Sequence, residues 1–91
     1  VWMTHIGGYP PGYNRRVLKE LDQLAPQLFI CGHSHILRIM PDGKRPGLLY
    51  MNPGAAGNQG FHQEKTIVRF ELTTGRIQNL EVINLGKRAK I

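Results

Sequence analysis

Acidic side chains are scarce and unevenly placed: six in 91 residues, none from Val1 to Lys19 and none between Gln23 and Pro41. Twelve Lys and Arg oppose them, for a formal charge of +6. Cysteine is scarcer still. Cys31 stands alone, so no internal disulfide can close; this excludes a small disulfide-stapled scaffold and points to a reducing compartment, the cytoplasm. No apolar run nears the ~20 residues that a bilayer-spanning helix needs, which excludes that kind of span. A leader pattern and an initiator methionine are missing too. The sequence opens on Val1-Trp2-Met3-Thr4-His5 with apolar patterning already under way, and so reads as a section of a longer protein. What is present suffices for packing: 41% apolar residues suit one small domain or a piece of one.

Residues 1–6 read as a short apolar strand ending at Gly7-Gly8, and Gly7 to Tyr13, with Pro10-Pro11, as a rigid loop. Asn14 stands at an N-cap position before a helix from Arg15 to Leu24, where Val17, Leu18, Leu21 and Leu24 recur at helical spacing. Pro26 limits that helix, because the residue before a proline is driven out of the helical region. Leu28 to Cys31 is a continuous apolar run, the signature of a strand covered on both faces. Strands from Ile36 to Met40 and Leu48 to Met51 flank a turn at Pro41 to Gly47 and form an expected hairpin. After a small-residue loop from Asn52 to Gly60, Lys65 to Leu72 and Arg76 to Leu85 alternate as strands around Thr73-Thr74-Gly75. Residues 86–91 read as a frayed basic tail. Two strands with both faces apolar need a layer on each side, yet one helix is on offer. A covering layer is therefore expected from outside these residues.

His5, His33 and His35 each fall at or just past the end of an apolar strand, beside glycine. Ligands of open α/β sheets bind at the carboxyl ends of the strands, so these imidazoles are candidate metal ligands. In an extended segment His33 and His35 would point to one side, with Cα atoms ~7 Å apart. That spacing suits one cation or a close pair. His62 shows no such pattern and reads as an ordinary loop residue. A hydrolytic metal pair needs oxygen ligands that the neighbouring sequence lacks. Either the site is a mononuclear three-histidine centre, or its carboxylates come from elsewhere.

Gly32-His33-Ser34-His35, preceded by an apolar strand and followed by a hairpin and Asn52-Pro53-Gly54, resembles the closing motifs of calcineurin-like metallophosphoesterases. The small bacterial and archaeal phosphodiesterase branch is the nearest in pattern, and Thr4-His5-Ile6-Gly7-Gly8 is similar to its isolated-histidine motif. The resemblance implies an α/β fold: residues 1–91 would be the C-terminal half of a four-layer α/β/β/α sandwich, mostly strands with one clear helix. It implies His5 and His33 on one metal of a dinuclear pair and His35 on the other, with two divalent cations, Mn²⁺ first and Zn²⁺, Fe or Ni²⁺ as alternatives. It implies metal-assisted hydrolysis of phosphoester bonds, phosphodiesters above all, in the complete protein. The bridging carboxylate, the Asn ligand and the leaving-group histidine would lie in an N-terminal half. No catalytic residue is therefore assigned here, and 91 residues alone are expected to be inactive.

Gly7, Gly8 and Tyr9, just past His5, are candidate substrate contacts; a plain turn is the simpler account. Gly7 and Gly12 imitate a phosphate-binding loop, but Tyr13-Asn14 replaces the Lys and Ser/Thr such a loop needs, and Pro10 and Pro11 remove donors. The charge of +6 raises the alternative of a non-catalytic nucleic-acid-binding module. Against it, Arg15, Arg16 and Lys19 alternate with Glu20 and Asp22 as an ordinary solvated face. Nucleic acid then enters only as a substrate. Cys31, Trp2 and Phe29 read as core. With one covering layer missing, the chain is expected to expose apolar surface and to self-associate or swap segments.

Overall fold

A computed structural model describes residues 1–89. Helix α1 covers Arg15–Leu24. Its start is set by Asn14, whose side-chain oxygen accepts from the Val17 N–H at 2.9 Å. Its end is set by Ala25 in the left-handed region ahead of Pro26. Val17 and Leu21 are fully buried, while Leu24, expected on the same stripe, is exposed. Burying a side chain of that size contributes ~1.5–3 kcal/mol.

One sheet contains β1 (Trp2–Met3), β2 (Leu28–Ile30), β3 (Leu37–Pro41) and β4 (Leu49–Pro53), in the order β1-β2-β4-β3. β1, β2 and β4 run parallel, and β3 returns antiparallel to β4 as the expected hairpin. The first strand is shorter than its apolar sequence suggests. β2 offers it only Phe29 and Ile30 as partners, and His5 falls beyond the ladder. β5 (Glu64–Thr73) and β6 (Arg76–Lys87) form a separate antiparallel pair with two register shifts. Gly86 and Lys87, expected in a frayed tail, belong to β6. Arg88 donates from Nε to the His62 carbonyl at 2.7 Å, and the Ala89 N–H donates to Asn58 at 3.0 Å. Of that tail, only residues 90–91 lie outside the described residues.

Alternation along the strands sends Trp2, Phe29 and Tyr50 to the helix side, where Tyr13, Val17, Leu21, Cys31 and Leu48 complete the core. Trp2 stacks on Phe29 at 5.0 Å between ring centroids. The buried Asp42 carboxylate fastens the β3–β4 turn to this core, accepting from the Tyr13 hydroxyl at 2.9 Å and the Lys44 N–H at 2.8 Å. On the opposite face Leu28 and Met51 are buried, but Val1 and Met3 remain 70% and 66% exposed. The β5–β6 pair reaches this side through Thr66, whose hydroxyl donates to the Pro53 carbonyl at 2.8 Å. An open cavity of about 720 Å³ separates its turn, Leu72 to Ile77, from Leu28 and Leu49. The layers are therefore helix, four-stranded sheet and β-ribbon, a mixed α/β architecture of mostly strands.

Candidate metal centre

Parallel β1, β2 and β4 carry their carboxyl ends to one end of the sheet, and antiparallel β3 begins there. That topology collects His5 after β1, His33 after β2, His35 before β3 and Asn52 near the end of β4. Backbone bonds hold the first two loops together: the Gly32 N–H donates to the His5 carbonyl at 2.9 Å. Gly7 lets the chain after His5 pass close to the sheet, since a Cβ there would come within 2.7 Å of the Phe29 ring. Tyr50 then anchors the loop, donating to the Gly8 carbonyl at 2.6 Å.

His5 Nε2 and His33 Nδ1 lie 3.3 Å apart, with the rings edge-to-face and exposed to solvent. Two imidazole nitrogens held ~2.1 Å from one tetrahedral cation would be ~3.4 Å apart. The pair therefore fits a shared divalent ion, and a cleft of about 500 Å³ lined by Met3, Thr4, His5 and Gly32 opens beside it. His35 is not part of the pair. His33 and His35 both have left-handed backbones, with φ 70° and 63°. The extended geometry expected for His-x-His is replaced by a turn, closed by Ser34 N–H to the Gly32 carbonyl at 2.9 Å. His35 instead packs edge-to-face on His62, at 5.1 Å between centroids.

Among the described residues, no three His, Cys, Asp or Glu side chains gather closely enough to hold one cation. The self-contained three-histidine centre is therefore not assembled. The candidate ligands collected at this end of the sheet, His5, His33 and His35, are all nitrogen donors.

Two residues that shape the site carry no ligand signature in the sequence. Asn52, 1% exposed, donates from Nδ2 to Ser34 Oγ at 3.0 Å and to the Gly32 carbonyl at 3.3 Å, and accepts the Gly54 N–H at 3.0 Å. It therefore fixes the loop that bears His33 and His35, so of the two readings that Asn52-Pro53-Gly54 allows, a plain turn or a part in shaping the site, the hydrogen bonds favour the second. His62 looked unpartnered, because the residue it meets lies far away in sequence. Of the candidate substrate contacts, Gly7 is buried and the Gly8 carbonyl is occupied by Tyr50. Tyr9 is 54% exposed, with the Arg38 guanidinium 4.4 Å above its ring. Burial pushes the Cys31 thiol up, against the Tyr50 hydrogen bond that lowers it, in keeping with its place in the core.

A sequence model of the calcineurin-like phosphoesterase superfamily domain matches residues 1–75. A single mutant of Vps29 from Entamoeba histolytica superposes with a TM-score of 0.55 at 20% identity, covering 91% of this chain and 53% of that one. Zinc-complexed wild-type Vps29 from the same organism gives 0.43 at 23% identity, over 89% and 52%. Vps29 from Cryptosporidium parvum gives 0.42 at 19%, over 85% and 47%. The chain thus spans about half the length of these structures. No curated protein matches it.

Proposed function

The chain belongs to the calcineurin-like phosphoesterase superfamily, and from that premise we propose that it supplies the histidine side of a dinuclear centre that hydrolyses phosphoesters, phosphodiesters above all. The observation that carries this reading is the 3.3 Å approach of His5 Nε2 to His33 Nδ1 at the carboxyl ends of parallel strands. His5 and His33 hold one divalent ion and His35 the other. Ions held there would supply charge neutralisation at a phosphoryl group and acidification of a water. Imidazole donors suit Mn²⁺, Zn²⁺, Fe and Ni²⁺, with Mn²⁺ favoured where oxygen ligands complete the set.

This chain's own contribution is placement. Gly32 and Asn52 hold the two-histidine turn, Tyr50 holds the loop after His5, and Tyr9 with Arg38 offers a cationic, aromatic rim to an anionic substrate. The carboxylates that balance two dications come from chain outside these 91 residues, the N-terminal half of the same domain. That half also covers the exposed sheet face. The 91 residues alone bind metal without turning over. The proposal extends to a cytoplasmic protein with no membrane partner, on the ground of the lone Cys31. Among the described residues, no helix is long and apolar enough to cross a membrane.

Calorimetric titration with Zn²⁺ tests the pair. Wild type binds, and His5→Ala and His33→Asn each weaken binding at least tenfold; unchanged affinity in both variants overturns the reading. Turnover of bis(p-nitrophenyl) phosphate by the complete protein, lost in the same variants, tests the activity.

A further inference from the structure

Two pairs of imidazoles share one geometry. His5 with His33, and His35 with His62, each have centroids 5.1 Å apart and planes inclined at 79°. The first pair meets nitrogen to nitrogen. In the second, His62 Nδ1 is buried and hydrogen-bonds to nothing.

The tautomer of His62 follows from its other nitrogen. Nε2 lies 2.8 Å from the Gly57 carbonyl oxygen, which can only accept. Nε2 therefore carries the proton, and in the neutral ring Nδ1 carries a bare lone pair. A Cβ built on Gly60 would run into His35 Nδ1 and would stand 3.1 Å from His62 Nδ1. Both Nδ1 atoms border one small volume, left empty because residue 60 has no side chain.

We propose that His62 is a positioning residue for His35: its Nδ1 lone pair, unpartnered in this structure, accepts a hydrogen bond from His35 Nδ1–H once the rings turn toward each other across the volume beside Gly60, and this leaves His35 Nε2 bare for a divalent cation. The two ring nitrogens point in divergent directions, so fixing one aims the other. Metal-ligating histidines commonly donate their second N–H to a carboxylate or carbonyl. Here the sequence offers no carboxylate between Asp42 and Glu64, and an imidazole takes that part. The cation half of this proposal rests on the metal-centre reading above; the hydrogen bond does not.

The test is the tautomer of His35 in the metal-free, ¹⁵N-labelled chain, read from long-range ¹H–¹⁵N correlations. Wild type shows His35 as Nδ1–H and His62 as Nε2–H. His62→Ala returns His35 to the Nε2–H form that histidine favours in water. His62→Asn, whose amide oxygen can occupy the Nδ1 position, restores Nδ1–H. Gly60→Ala drives a methyl group between the rings and abolishes Nδ1–H without touching either histidine, so the idea does not depend on the folding of one variant. Zn²⁺ affinity at the His35 site falls roughly 10–100-fold in His62→Ala and recovers in His62→Asn. An Nε2–H His35 in wild type, or an Nδ1–H His35 that survives both His62→Ala and Gly60→Ala, overturns the proposal. The correct tautomers with no Zn²⁺ uptake by wild type would support the hydrogen bond and overturn the metal centre instead.

Discussion

At the scale of single residues, the candidate metal ligands depend on the groups that hold them. Asn52 satisfies two acceptors and one donor from a fully buried position. Asn52→Ala should cost ~1–3 kcal/mol in urea unfolding, the usual range when buried partners are left unsatisfied, and should weaken Zn²⁺ binding as the histidine turn loosens. Asp42 gives a second expectation. Burial opposes its ionisation, but hydrogen bonds from the Lys44 N–H and Tyr13 hydroxyl, with the Arg45 charge, outweigh that and hold its carboxyl below the ordinary value. A lowered folded-state pKa gives stability that is full above the unfolded value of ~3.9 and is lost as pH falls through the folded one. The melting-temperature advantage of wild type over Asp42→Asn should therefore be constant from pH 7 to about 5 and shrink below about pH 4. The sequence marked His5 and His33 as candidates because glycine and strand ends flag them locally, and their rings adjoin. It concealed the pairing of His35 with His62, because nothing near either residue records a contact 27 positions away.

At the scale of elements, α1 was legible to the residue. Its cap, apolar stripe and stop are all local signals, and Asn14, Val17 and Pro26 each sit within a turn of what they control. Asn14 does more than cap, since its Nδ2 also donates to the Ile6 carbonyl at 3.2 Å and ties the helix to the loop after His5. Asn14→Ala should cost ~0.5–2 kcal/mol by thermal unfolding, toward the upper end because both bonds are lost. The two hairpins were legible for the same reason, turn residues between alternating runs. The length of β1 was not, because its partner strand decides it rather than its own apolar residues. The His-x-His turn was also missed: left-handed backbone is uncommon outside glycine, and here it occurs at both histidines of a turn that Asn52 holds through the Gly32 carbonyl and Ser34 hydroxyl.

At the scale of the whole molecule, one sheet face has its helix while the other is part-covered by the ribbon. Met3, Ile36 and Leu37 on or beside the sheet, and Leu80, Val82 and Leu85 on β6, stay exposed. Exposed apolar side chains on the sheet and on the ribbon favour association. Light scattering across a concentration series should show a mass that climbs above the 10.3 kDa monomer; a constant monomer up to millimolar concentration would contradict it. The sequence conveyed this shortage of cover through strands with two apolar faces. Which side lacked it emerged only with the strand order.

That strand order also has a consequence for biosynthesis. The ribosome makes β4 after β1, β2 and β3, yet β4 lies between β2 and β3 and joins them. A nascent chain that stops short of residue 49 can hold neither hairpin nor central ladder, and Asn52 has not yet been added to grip the histidine turn. The turn that carries His33 and His35 is thus synthesised early and gripped late, once one strand has slid into the middle of the sheet.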